Sequence, residues 1–253
     1  AGATEFLRPE DGAWDPSNPS DFYFVTTDRF DTTKNGTGST TGRSRLFRLR
    51  FSDISNPTAG GTLTTLLDGT EAHNMLDNMC VTASGHAYLT EDTGGASWQA
   101  RIWRYTLATG AVAEVGRGDV ARFGDESTPP TAPFSQDEEI SGIFDAADIL
   151  GPGWTIVNVQ AHGGISPGTE LVENGQILAM YDPASAVDPT FDAGARADRT
   201  SVLAGESVAF SCTATVPGGG EVTYAWDFGD GTSGTGPAVA HAFLASGTFD
   251  VTC

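Results

Sequence analysis

One unit recurs three times within the first 182 residues, and this repeat constrains the fold more tightly than any other feature. Its first copy runs from "RPEDGAWDP" through "DFYFVTTD" to "SRLFRLRF". The second runs from "LDNMCVTASG" through "HAYLTEDTG" to "ARIWRYTLATG", and the third from "DEEISGIFDA" through "WTIVNVQAHG" to "NGQILAMYDP". Each copy has an acidic or amide head, an apolar strand, a turn, a strand ending in polar residues, a loop and a further apolar strand. The heads at Glu10, Asp77 and Glu138 stand 67 and 61 residues apart. The apolar runs are short and rich in β-branched or aromatic residues, with abundant Gly between them, which predicts strands. The predicted class is all-β, with one short helix expected near "EISGIFDAADIL".

Units of this size fit the blades of a β-propeller with long inter-strand loops. In such a ring the innermost strands line a central channel, so equivalent positions of successive blades meet at one mouth. Three acidic heads would repel one another there unless a cation neutralised them. The ends of the second strands recur in the same register: Thr27-Asp28, Glu91-Asp92 and Gln160 to His162. Residues 1–182 are therefore expected to form a partial propeller of about three blades. About four blades make the smallest closed ring, so further blades are expected either before Ala1, the favoured reading, or from another chain. The chain lacks an initiator Met and stops in "FDVTC", within a strand-like run, which also predicts a fragment or a processed chain.

Charge narrows the partners. Asp and Glu number 33 against 13 Lys and Arg, for a formal net charge of -20, and lysine occurs once, at Lys34. Such a surface repels nucleic acid and anionic membranes and attracts cations, calcium among them. No run approaches the roughly 18 apolar residues that span a bilayer.

From about Asp182 the texture changes. "DPASAVDPTFDAGARADRT" is rich in Ala, Asp and Pro and reads as a linker, residues 183–195, into a second domain at 196–253. There "VTYAWDFGDGTSGTG" and "HAFLASGTFDVTC" resemble the PKD domain, an immunoglobulin-like β-sandwich of secreted and cell-surface proteins. Cys212 and Cys253 flank Trp226 and read as a disulfide, whose loop closure would stabilise by roughly 4 kcal/mol. Cys80 stands alone as a buried apolar residue. A disulfide predicts a secreted, periplasmic or cell-surface location. The PKD resemblance implies a spacer or adhesion module, with polysaccharide or protein as the partner to be expected if it binds one; Asp227 and Asp230 could hold a cation but read first as turn formers.

The first 182 residues resemble the PhoX-type alkaline phosphatases, secreted or periplasmic propellers. "FLRPEDG", "QDEEISGIFDA" and "VNVQAHGG" with "ELVENGQILAMY" carry the resemblance, in the order of that family's C-terminal half. It implies phosphomonoester hydrolysis of a phosphorylated small molecule, with calcium and, in characterised members, iron. Arg8 then matches the phosphate-binding arginine and Glu10 its neighbouring metal ligand. A guanidinium grips two phosphate oxygens at once, and a carboxylate two residues along a strand faces the same side. Glu138 or Glu139 would supply a further metal ligand, only one of the two facing the channel. "LDNMC" and "YLTED" also resemble calcium-binding six-bladed propellers of the gluconolactonase-like group, which implies Asn78 and Glu91 as metal ligands. "VQAHGG" departs from the family's Q-H-P-G, so His162 reads as structural. A calcium-dependent lactonase or esterase is thus the second expectation, and a non-enzymatic cell-surface binding protein the third.

Overall fold

The computed structural model describes residues 4–27, 44–93, 98–161, 174–186, 190–215 and 222–253. The chain divides into two compact units, 1–186 and 187–253. Both are built from strands, and the fold is all-β.

Three antiparallel meanders make the first unit. Strands β1 (Pro9–Asp15), β2 (Asn18–Thr26), β3 (Arg45–Phe51) and β4 (Gly61–Leu67) form one four-stranded sheet in chain order. Strands β5 (Leu76–Val81), β6 (His86–Glu91), β7 (Arg101–Thr106) and β8 (Val112–Arg117) form the next. After a single turn of helix, α1 (Val120–Phe123), come β9 (Glu138–Asp145), the short α2 (Ala147–Leu150), β10 (Trp154–Ala161) and β11 (Asn174–Tyr181). These last three strands pair in the order β9-β10-β11. The short helix expected near "EISGIFDAADIL" is α2, confined to Ala147–Leu150, and the run before it is strand as far as Asp145. The reason is its alternation: Glu138, Ile140 and Ile143 turn inward while neighbours between them stay accessible.

The second sheet is the keystone, because both of its faces are covered. Met79, Val81, Ala87, Leu89, Trp103 and Tyr105 pack against Tyr23, Val25, Leu46 and Leu67 of the first sheet. The alternate residues Cys80, Tyr88 and Ile102 pack against Ile140, Ile143 and Val157 of the third. That is why "HAYLTE" is buried at every position and reads as a continuous rather than an alternating run. Face-to-face packing of this kind sets the first strands side by side, with β5 against β1 on one flank and β9 on the other. Backbone and side-chain bonds stitch them together. Asp11 Oδ2 accepts from Met79 N at 3.0 Å, and Asp92 forms an isolated antiparallel bridge with Glu139.

The second unit is a small sandwich. Strands β12 (Thr190–Ala197), β13 (Ser207–Thr215), β14 (Ala225–Asp227), β15 (Ser233–Thr235) and β16 (Ala238–Ala242) pair as β12-β13-β16 and β14-β15. Part of the stretch read as linker is thus strand β12. It has too few apolar residues to announce a strand, and its pairing with β13 across residues 190–197 supplies what the side chains do not. Val208, Phe210 and Cys212 alternate inward along β13 onto Trp226 and Phe228. The Trp226 indole N–H donates to Gly236 O at 2.8 Å. Cys212 and Cys253 are joined as a disulfide.

Leu89 is fully buried at the centre of the first core. Leu89→Ala should destabilise the chain by about 2–5 kcal/mol, because the two neighbouring sheets cannot collapse into the space left. Urea unfolding followed by tryptophan fluorescence measures it.

Candidate functional site

The heads of the three meanders meet where β1, β5 and β9 begin. Arg8 precedes Pro9, which disfavours the ordinary helical backbone for the residue before it. Its φ of 51° lies in the left-handed region, an unusual conformation for a residue with a side chain. Strain of this kind is held by surrounding bonds and clusters at working sites. Here Arg8 O accepts from Thr27 N at 3.0 Å, and the Arg8 guanidinium pairs with Glu10 Oε1 at 2.9 Å. The two side chains stay 35% and 26% exposed, so the pair faces solvent rather than the core. Thr27 Oγ1 lies 3.2 Å from Glu10 Oε1 and 2.9 Å from Leu76 O, linking the β1 head to the start of β5.

Asp77 is the centre of the cluster. Burial first, and then the negative charges of Glu139, Glu10 and Asp92, push its carboxyl up to about 7, against the pull of Arg8. Carboxylates from all three meanders therefore act on one another, with one guanidinium among them. Asn78 belongs to the same cluster as a strut. With its amide turned so that nitrogen donates, it reaches Asp77 Oδ2 at 3.0 Å and Ser141 O at 2.5 Å, tying β5 to β9.

The remaining expected site residues divide between the cluster and the interior. Of the adjacent pair on β9, Glu139 is the one within electrostatic reach of Asp77. Glu138 points inward, 1% exposed, and its Oε1 accepts from Ala100 N at 3.2 Å. Its Oε2 has no hydrogen-bond partner among the described residues, and burial pushes the carboxyl up to about 7. Glu91 is fully buried and committed. It accepts from Arg101 Nε at 2.9 Å, Trp103 Nε1 at 2.8 Å and Asn74 N at 2.7 Å, leaving it as the anchor of a loop rather than a free ligand. Asp28 and His162 lie outside the described residues.

Among the described residues, no three His, Cys, Asp or Glu side chains are arranged as a ready metal cage. The donor set around Asp77 is nonetheless one of hard oxygens carrying excess negative charge, the chemistry that suits calcium. Iron bound through Cys80 does not fit. The thiol is buried in the second core, and burial pushes it up to about 12, so it is un-ionised at neutral pH.

A second polar cluster escaped sequence reasoning. Ser185 Oγ lies 3.0 Å from His86 Nδ1 and hydrogen-bonds Tyr88 Oη, while Asp182 accepts from Tyr88 Oη at 2.9 Å and from Arg104 NH1 at 2.6 and 2.7 Å. Despite the serine–histidine contact, His86, Tyr88, Asp182 and Ser185 are all buried, which denies a substrate access. The cluster fastens residues 182–185 onto β6 and β7. In the second unit, Asp227 and Asp230 accept from the backbone of Gly229 and Thr232, as turn formers do, and Asp230 Oδ2 pairs with His241 at 2.7 Å.

Compared with known proteins, residues 166–253 match the PKD domain model. No curated protein matches the chain. The matched span takes in the whole second unit and also β11 of the third meander. A PKD domain and a disulfide are together compatible with a secreted protein. No helix among the described residues is long and apolar enough to cross a membrane.

A carboxyl raised in the folded state from an ordinary 3.8 to about 7 stabilises the fold below pH 4, and that stability is lost as pH rises to 7. In cation-free buffer, Asp77→Asn should flatten this part of the profile and raise the melting temperature at pH 8 relative to the parent. Scanning calorimetry at pH 5 and pH 8 checks it.

Proposed function

We propose that residues 1–186 are part of a β-propeller whose channel mouth carries a calcium-dependent phosphomonoesterase site of the PhoX type, joined to a PKD domain. The single observation that supports this reading is the meeting of Arg8 and Glu10 with Asp77, Asp92 and Glu139 at the heads of three consecutive meanders. A site that must hold a phosphate dianion and a divalent cation together needs both signs of charge in one place.

In this reading the partly exposed Arg8 guanidinium takes two non-bridging phosphate oxygens. Glu10 orients the guanidinium through the 2.9 Å ion pair, and Thr27 holds Glu10 in turn. Asn78 fixes Asp77 by its amide and keeps β5 and β9 in register at the mouth. Calcium would be held by Glu10, Asp77, Asp92 and Glu139, and it supplies Lewis acidity and offsets negative charge when bound. The three side-by-side meanders, each with its first strand against the next, support the propeller as architecture.

The lactonase reading loses ground at Glu91, whose carboxylate is already taken by Arg101, Trp103 and Asn74. A neutral lactone also gives Arg8 nothing to bind. The non-enzymatic reading is favoured by the PKD domain, a module that commonly mediates binding. It predicts calcium binding without turnover.

Protein that includes this chain should hydrolyse p-nitrophenyl phosphate in calcium, lose the activity in chelator, and lose at least a hundredfold in kcat/KM in Arg8→Ala. Activity that survives both treatments rejects the site. Calcium binding with no hydrolysis of phosphate ester or lactone favours the binding module.

A further inference from the structure

The three sheets of the first unit repeat one another in register. Arg8 O accepts from Thr27 N as Met75 O accepts from Asp92 N, and Arg8 and Met75 both hold a positive φ, of 51° and 44°. On the next residue, Pro9 pairs with Thr26 and Leu76 with Glu91, and in the third sheet Glu138 pairs with Ala161. The residue after each of these is the head that enters the charged cluster: Glu10, Asp77 or Glu139. Counting back along the second strands from Thr26, Glu91 and Ala161 makes Phe24, Leu89 and Val159 equivalent, and likewise Phe22, Ala87 and Val157.

This equivalence fixes what each face does. Ala87 and Leu89 pack back onto the first sheet, and Val157 and Val159 back onto the second. Tyr23 and Tyr88, which alternate with them, pack forward onto the second sheet and the third. The contact is heterologous, the front of one sheet on the back of the next, and it is made twice in the same way. One back and one front remain uncovered. On the first sheet, the back positions Phe22 and Phe24 belong to neither core. They carry an aromatic ladder in which Trp14 lies 5.1 Å from Phe22 and Phe24 lies 5.1 Å from Phe47. Trp14 is 49% exposed, and Leu63, in the cross-strand row of Phe22 and Leu49, is 44% exposed. On the third sheet, the front position Asn158 pairs with Ile177, which is 80% exposed, and the exposed Phe144 and Tyr181 share that face. None of these side chains is charged, and apolar faces left open in this way mark interaction surfaces.

We propose that two copies of this chain close one ring of six sheets, the front of each copy's third sheet covering the back of the other's first sheet. This ring rests on the propeller reading above, and a second copy is the occupant because the chain carries both halves of the missing contact. Six sheets lie within the roughly four to eight blades of closed propellers. A heterologous contact that did not close would build filaments instead.

Analytical ultracentrifugation of the full chain across a dilution series tests it, with circular dichroism to check the fold of each variant. The parent should sediment as a dimer. Ile177→Asp on the front and Leu63→Asp on the back, both exposed in the single copy, should each weaken dimerisation about a hundredfold, because either one buries an unpaired carboxylate in the contact. An equimolar mixture of the two variants should recover part of the dimer, since one of its contacts then joins an unaltered front to an unaltered back. Should one variant misfold, the other decides. A monomeric parent, open-ended polymers, a dimer that survives either substitution, or no recovery in the mixture would each overturn the proposal. Hydrolysis of p-nitrophenyl phosphate is read separately: a monomer that hydrolyses it rejects the ring and keeps the phosphatase site, and a dimer that does not rejects the site and keeps the ring.

Discussion

Like charges brought together by packing are the constraint on which the first unit turns. The second sheet is buried on both faces, so the three meanders must lie face to face. Their first strands then run side by side, and whatever each meander carries at its head is delivered to one place. What they carry is Glu10, Asp77 and Glu139, with Asp92 bridged to Glu139. Hydrophobic burial over whole sheets is large enough to impose this crowding. The electrostatic cost is held down locally, by Arg8 against Glu10 and by Asn78 against Asp77. A raised carboxyl is the residue of the cost that these contacts leave, and a cation is one means of removing it.

Much of the architecture was legible because it rests on short-range alternation. Strand existence and the threefold order follow from runs such as "HAYLTE" and "RIWRYTL", whose residues contact near neighbours in sequence. The side chains' final directions were less so. Glu138 and Glu139 are adjacent, and nothing local says which faces Asp77; the register of β9 against β10 decides it. Glu91 looks like a free carboxylate in "YLTED", but its partners Arg101 and Trp103 lie on the next strand and bind it completely. His86 gave no signal at all, since Ser185 stands 99 residues away. The linker reading of residues 183–195 missed most of β12, a strand that has almost no apolar pattern and is held by pairing with β13.

The two units depend on different means of stability. The first has two apolar cores shared between three sheets, and it secures residues 182–185 with the buried Tyr88, Asp182 and Arg104 network. The second is small, with one core around Trp226, and adds a disulfide across it. Small domains gain most from such a constraint. The first unit is thus a platform for the charged cluster, and the second a small domain whose core is reinforced by its disulfide.

The convergence of three acidic heads is tested most directly by titrating the Asp77 carboxyl carbon by NMR in cation-free buffer. If the heads meet as described, Asp77 titrates near 7, and Glu139→Gln moves it down toward the ordinary carboxylate range. A midpoint close to 3.8 that does not respond to Glu139→Gln would mean that the carboxylates do not share a site.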